Sequence, residues 1–362
     1  MTPTIPRRRL LASGFGAAVA GLAGCVGRSI PSDDGDGTDA APGTESTATA
    51  DNAYGTVYEN AIDSVVEVRT SQGSGTGFVF DESHVVTNAH VVGDAQAVEV
   101  RFTDGQWRSG SVAGTDPHSD LAAVEIGDRP SSATPLPFVD DPPAVGREVV
   151  AIGNPFDLEG TVTTGIVSGV DRSIPAPTGY SIPDAIQTDA AVNPGNSGGP
   201  LMTLEGAVAA VVNSGGGDNV GFGISAALTE RVVPDLVATG DYDHSFLGVS
   251  FTDVTPAVAS ANDLAEPRGL LVVDVVDGGP AAGVLEPSTG TEYTARGRVP
   301  AGGDVLLAVD GTELATKEDL GSYLALETRP GDAVDLTVRR DGTERTVSVE
   351  LGTRPARRGP YR

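Results

Sequence analysis

From Tyr54 onward, short apolar runs alternate with breaks containing Gly, Asp and Pro. The runs are "VVEVRT", "GTGFVF", "HVVTNAHVV", "AVEVRF", "DLAAVEI", "EVVAIG", "TVTTGIVSGV", "GAVAAVVNS" and "VGFGIS". They are rich in Val, Ile and Thr, whose branched side chains fit a pleated, half-buried surface. Short strands at this spacing predict an all-β sandwich or barrel. A short amphipathic stretch, "YENAIDSV", precedes them. The run "AALTERVVPDLVATG", near 226–240, predicts a helix in which Pro234 would cause a bend or an end.

A second unit starts near Ser245. Its pattern predicts strand ("FLGVSF"), strand ("GLLVVDVV"), a short helix at "GPAAGVL", strand ("DVLLAVDG") and helix ("KEDLGSYLAL"). Two closing strands, "AVDLTVRR" and "ERTVSVEL", are joined by Asp341-Gly342, a dipeptide that tolerates the positive φ of a tight hairpin. This length suits one small α+β domain. The two units are unlike each other, so no internal repeat is expected. The stretch 29–52 has almost no bulky apolar side chain and is expected to be a disordered tether.

Charge narrows the partners. Acidic residues outnumber basic ones 50 to 23, for a net charge of −27. Scattered acid of this kind suits a halophile, because in high salt the Debye length is only a few Å. It also argues against a nucleic-acid partner, since phosphate binding needs clustered Lys and Arg. The first 25 residues read as an address. Arg7, Arg8 and Arg9 lead an Ala/Gly-rich run too short to span a bilayer, and the segment resembles a twin-arginine export signal. Leu22-Ala23-Gly24-Cys25 resembles a lipobox, which implies lipid on Cys25, the only cysteine. The expected location is therefore outside the cell, anchored to the outer face of its membrane.

Candidate chemistry centres on "VNPGNSGGPL", residues 192–201. Gly, Pro and Asn there suit a surface turn, or a loop whose amides point at a ligand beside Ser197. A serine nucleophile needs a base and a group to orient it. Of the four histidines, His90 is best placed, at the end of a β run and beside a turn. His84 starts the same run, His118 sits in a polar turn, and His244 falls at the junction of the units. Asp120 precedes an apolar strand and can be buried beneath the histidine, whereas Asp116, before Pro117, reads as an exposed turn residue. The order His90, Asp120, Ser197 is that of the chymotrypsin-like double barrel. Tight turning at Gly195 would let the N–H groups of Gly195 and Ser197 form an oxyanion hole. No metal and no cofactor are expected.

Five ordered segments, "TNAHVV" (87–92), "DLAAVEI" (120–126), "IGNPF" (152–156), "TVTTGIVSG" (161–169) and "QTDAAVNPGNSGGPL" (187–201), resemble the HtrA/DegP family of serine endopeptidases. The likeness implies a mainly β protein, with a chymotrypsin-like double β-barrel protease domain at 54–243 and an α+β PDZ domain at 244–352. Around these would lie a signal segment at 1–25, an acidic linker at 26–53 and a basic tail at 353–362. It also implies that the loop 171–183 helps switch the site, and that Ala191, Val211, Val212 and Asn213 border an S1 pocket for small aliphatic residues. Phe246, Leu247, Gly248 and Val249 would be the PDZ carboxylate loop, which binds apolar peptide C-termini. The longer connection 286–303 departs from the family pattern. Unfolded proteins or peptides would be the substrates, a homotrimer or higher oligomer the assembly, and the alternative role a surface-anchored chaperone or peptide-binding scaffold.

Overall fold

The computed structural model describes residues 53–153, 160–176, 178–193, 195–217 and 219–356. Cys25, the arginine-rich start, the tether and the last residues of the basic tail lie outside the described residues. Helix α1 (Ala53–Ala61) buries Val57 and Ala61. Six strands then form a closed antiparallel barrel: β1 (Val65–Arg69), β2 (Ser74–Val79), β3 (His84–Thr87), β4 (Ala97–Arg101), β5 (Trp107–Asp116) and β6 (Leu121–Ile126). Their order is β1-β2-β3-β6-β5-β4, and the one-turn helix α2 (Ala89–Val92) follows β3. A second closed barrel holds β7 (Glu148–Gly153), β8 (Thr161–Pro175), β9 (Ser181–Thr188), β10 (Pro200–Thr203), β11 (Val208–Gly217) and β12 (Val220–Ser225), in the order β10-β11-β12-β9-β8-β7. Closure leaves neither barrel a free strand edge.

Side-chain period explains the packing. In β4 the pattern turns Val98 and Val100 inward and leaves Glu99 in solvent. Val66, Val68, Val85 and Val124 fill a cluster in the first barrel; Val149, Ile186, Leu201 and Val212 do the same in the second. A larger cluster joins the two through Phe78, Leu121, Ile152 and Met202. Helix α3 (Ala226–Thr239) adds Leu228, Val232 and Leu236 to it, at helical spacing. Ser225 Oγ caps α3 by accepting from Leu228 N at 3.2 Å, and Gly240 ends it at φ +89°. The helix runs on through Pro234 instead of stopping there. Gly114 on β5 permits the close approach, since a Cβ there would lie 2.6 Å from Leu236 O and Gly240 O.

β13 (Ser245–Phe246) opens the second unit and pairs with its last strand, β22 (Gly352–Thr353). Between them lie β14 (Val249–Asp253), α4 (Pro256–Ala261), β15 (Leu270–Val275), β16 (Gly290–Thr294), β17 (Gly297–Ala301), β18 (Val305–Val309), β19 (Thr312–Glu313), α5 (Lys317–Glu327), β20 (Ala333–Arg340) and β21 (Thr343–Glu350). The main sheet follows β14-β15-β18-β20-β21, with Leu270, Leu306, Leu336 and Val338 in its core. Asp341 and Gly342, at φ +51° and +74°, make the expected hairpin turn. Thr316 and Asp319 form a capping box at the start of α5.

The departures from the sequence pattern are local. β5, β9 and β10 lie outside the predicted runs; β5 is rich in Ser and Gly, and only three of its ten residues are fully buried. The run "HVVTNAHVV" breaks at Asn88 into a strand and a helical turn. No helix forms at 279–285, where Gly283 takes φ +78° and the chain makes successive turns. Most of the supposed loop 171–183 is strand, because β8 and β9 extend into a hairpin. The connection 286–303 forms the β16–β17 hairpin.

Among the described residues, every non-glycine with positive φ is Asp or Asn: Asp120, Asp171, Asp184, Asn219, Asp263, Asp310 and Asp341. These short polar side chains enter the left-handed region more readily than others.

Candidate active site

The cleft between the barrels collects the predicted groups. Asn88, with extended φ and ψ, starts α2 and aims His90 at the cleft. The carbonyl of Asp120 accepts from Ala89 N at 3.1 Å and from Asn88 Nδ2 at 3.0 Å, which ties α2 to the turn before β6. Asp120 is 3% exposed and left-handed at φ +57°. Its Oδ1 accepts from His90 N at 2.9 Å, and its Oδ2 lies 2.6 Å from His90 Nδ1. A carboxylate at that nitrogen makes it the N–H donor and leaves Nε2 as the basic one. The Asp120 hydrogen bond holds the His90 pKa above the ordinary value, against burial, which lowers it; the carboxylate's charge adds to the rise.

Ser197 lies between β9 and β10. The first barrel grips its loop, with Thr76 N donating to Ser197 O at 2.8 Å and Thr76 Oγ1 to Gly195 O at 2.6 Å. Gly198, at φ +87°, is sterically required: a Cβ there would sit 2.1 Å from Thr76 O. Among the described residues, the amides of Gly195 and Ser197 have no hydrogen-bond acceptor. The Ser197 hydroxyl donates to Asn213 O at 2.9 Å rather than to His90. His90, Gly195 and Ser197 line a cleft of about 340 Å³, together with Thr70, Gln72 and Gly73.

The structure does not gather all the predicted residues there. Val211 and Val212, at 0% and 1% exposed, pack into the two core clusters and cannot line a pocket, because both faces of β11 are covered. Asn213 turns to the Asp120 carboxylate instead: its Nδ2 donates to Asp120 Oδ2 at 2.6 Å. Ala191 is exposed and accepts from Thr163 Oγ1 at 2.9 Å through its carbonyl. Sequence reasoning missed the Asn213 amide. An asparagine closing a buried apolar strand was the available signal, since buried amides need partners. In the second unit, Leu247 is buried in the core, Gly248 turns at φ +75°, and Phe246 and Val249 are half-buried.

Asp116 is not an exposed turn residue. It is 3% exposed and bonded to His244 Nε2 at 2.6 Å, because the segment after α3 folds back over the turn. His118 stacks edge-on against Tyr180 and His244, and burial pushes its pKa down to about 4. His84 pairs with Asp81 at 2.9 Å, at the opposite end of β3 from α2.

Two family models match, a trypsin-like peptidase domain over residues 75–211 and a PDZ domain over 245–351. The solved "HtrA-type protease AlgW with tripeptide" is 31% identical, with a TM-score of 0.69, over 83% of this chain and 97% of that one. The chain belongs to the HtrA-type protease family. A probable periplasmic serine endoprotease, DegP-like, of Pseudomonas fulva (strain 12-X) is 36% identical to this HtrA-type chain over 298 residues, covering 80% of it and 57% of the relative. The chloroplastic protease Do-like 1 of Arabidopsis thaliana is 38% identical over 295 residues, 78% of this chain and 64% of that protein. The chain thus spans little more than half the length of such curated relatives.

Proposed function

We propose that this HtrA-type chain is a serine endopeptidase that cleaves unfolded or damaged exported proteins through an acyl-enzyme. The observation that carries the reading is His90 Nδ1 held 2.6 Å from buried Asp120 in the cleft that also holds Ser197. In the mechanism, Ser197 Oγ rotates from Asn213 O toward His90 Nε2 and attacks the substrate carbonyl as His90 takes its proton. Asp120 orients the ring and stabilises the imidazolium. The amides of Gly195 and Ser197 meet the oxyanion, and His90 then returns the proton to the leaving amine. Water repeats the cycle to release the acyl group. Ala191, small and exposed, is the proposed border of a pocket for a small aliphatic residue before the scissile bond.

The PDZ match, and a relative solved with a tripeptide, support capture of apolar C-termini at Phe246–Val249. Periplasmic relatives support export, and Cys25 is the proposed lipid anchor on the outer face of the cell membrane. A homotrimer or higher oligomer remains the proposed assembly. A second reading, a peptide-binding chaperone or scaffold, draws on the Ser197 hydroxyl being bonded to Asn213 O instead of His90.

Fluorophosphonate labelling separates the two in molar salt. The wild-type chain should label at Ser197 and hydrolyse unfolded protein, and Ser197→Ala should do neither. An unlabelled, inactive wild type that still suppresses aggregation would favour the scaffold.

A further inference from the structure

The turn that supplies Asp120 is held by a second carboxylate. Asp116 Oδ1 accepts from His118 N at 2.9 Å, and Oδ2 accepts from Ser119 N at 3.1 Å and from the Ser119 hydroxyl. The remaining partner comes from outside the barrels. His244, 4% exposed on the segment between α3 and β13, places Nε2 2.6 Å from Asp116 Oδ2. Its ring packs against Tyr242 at 4.7 Å and His118 at 5.4 Å, and its carbonyl accepts from Arg354 N at 2.8 Å. His244 is thereby fixed from both ends of the second unit.

We infer that His244 is a positioning residue for catalysis: by bonding Asp116 it sets the 116–120 turn, and so the place of the Asp120 carboxylate beneath His90. The inference rests on the triad reading given above. Asp120 adopts a left-handed backbone, open to aspartate but less favoured than the helical or extended regions, so its neighbours help to hold it. What holds it on the carboxyl-terminal side is β6, paired with β3 and β5. On the amino-terminal side it is Asp116, whose carboxylate fastens the amides of residues 118 and 119. Burial alone would raise the Asp116 pKa. The hydrogen bond and charge of His244, with the Ser119 and His118 donors, overcome burial and hold it below the usual carboxylate value. Removing the His244 donor leaves that carboxylate buried and short of a partner, and the turn then relaxes toward water or closes on another donor. Catalytic geometry is steep in distance, so a shift of about 1 Å at Asp120 costs roughly 10²-fold. His244 is buried and is not among the residues that line the cleft, so binding should be spared.

The test uses the full chain in molar salt with two variants. His244→Gln keeps an N–H donor near the position of Nε2, and His244→Met keeps bulk without a donor. A short chromogenic peptide reports kcat and KM. The low-field proton resonance of His90 Nδ1–H, shared with Asp120, reports the triad without turnover. Expected for His244→Met are a kcat lower by about ten- to a hundredfold, a KM within about twofold, and a shifted or broadened low-field signal. His244→Gln should recover most of both. If His244→Met fails to fold, the Asp116→Asn/His244→Met pair, which buries no charge, is compared with the wild type by the same readouts. A folded donor-free variant with wild-type kcat and an unmoved low-field signal overturns the inference, as does a His244→Gln variant no better than His244→Met. Failure of the triad reading looks different: the wild type itself would not hydrolyse the peptide, while the low-field signal would still report on His244.

Discussion

Asp116 and Asp120 occupy the same turn, and each bonds a histidine at 2.6 Å. The pairs match in chemistry and differ in access. The His90 side chain is 41% exposed, that of His244 only 3%. His90 meets its carboxylate through Nδ1, which leaves Nε2 facing the cleft, whereas His244 uses Nε2 itself. A short Asp–His bond is therefore no signature of catalysis by itself. The free nitrogen and the open side of the ring decide whether the pair moves a proton or holds a fold. A buried pair also differs in what its loss does: removing one partner strands a charge that water cannot reach.

Several substitutions would break or sharpen this contrast. The largest effect is expected at Asp120→Asn, which keeps the shape and reverses the polarity beneath His90. Its kcat should fall by about 10⁴-fold while the unfolding midpoint moves little. Parity with wild type would remove Asp120 from the triad. Next comes Asp116→Ala, where stability should be lost together with the kcat that the 116–120 turn supports. Urea unfolding should show up to about 3 kcal/mol less free energy, the cost of leaving buried donors without their acceptor. An unchanged midpoint would mean that the second pair holds nothing.

Asn213→Ala removes one donor from the Asp120 carboxylate. Hydrogen bonds to charged groups contribute about 1.5–3 kcal/mol, so kcat/KM should fall roughly ten- to 150-fold. Steady-state kinetics with wild-type values would show the amide to be dispensable. The smallest shift is in pH. His90 must be neutral to act as base, and its pKa lies above the ordinary value because Asp120 stabilises the protonated ring. Activity should therefore be lost as pH falls through a midpoint above about 6.5. The residual activity of Asp120→Asn should titrate closer to that ordinary value. An acid limb at the same pH in both proteins would detach it from the pair.

The elements that carry the proposed triad stand beside local signals: Gly and Asn around Ser197, an apolar strand after Asp120, a break in the β pattern near His90. Partners drawn from far along the chain do not. Asp116 precedes a proline and looks exposed until His244 is folded over it, and no local pattern reports that contact. The valines of β11 look like pocket residues until barrel closure covers both of their faces. Likewise β5 and β10 are too polar or too short to announce themselves, and exist because their neighbours need pairing. Glycines broke the helix expected at 279–285.

The left-handed aspartates bear on any attempt to redesign this chain for dilute buffer. A net charge of −27 invites wholesale replacement of acid by lysine or alanine. Six of the acidic side chains, from Asp120 to Asp341, also serve the backbone, at positions where a longer or branched residue would strain the turn. Charge can be withdrawn from five of those sites only by residues that share the conformational tolerance, asparagine first and glycine second. At Asp120 even asparagine is barred by the histidine above it. Neutralising mutations should therefore be drawn from exposed, unpaired strand positions such as Glu99 on β4, where the acidic residue faces solvent.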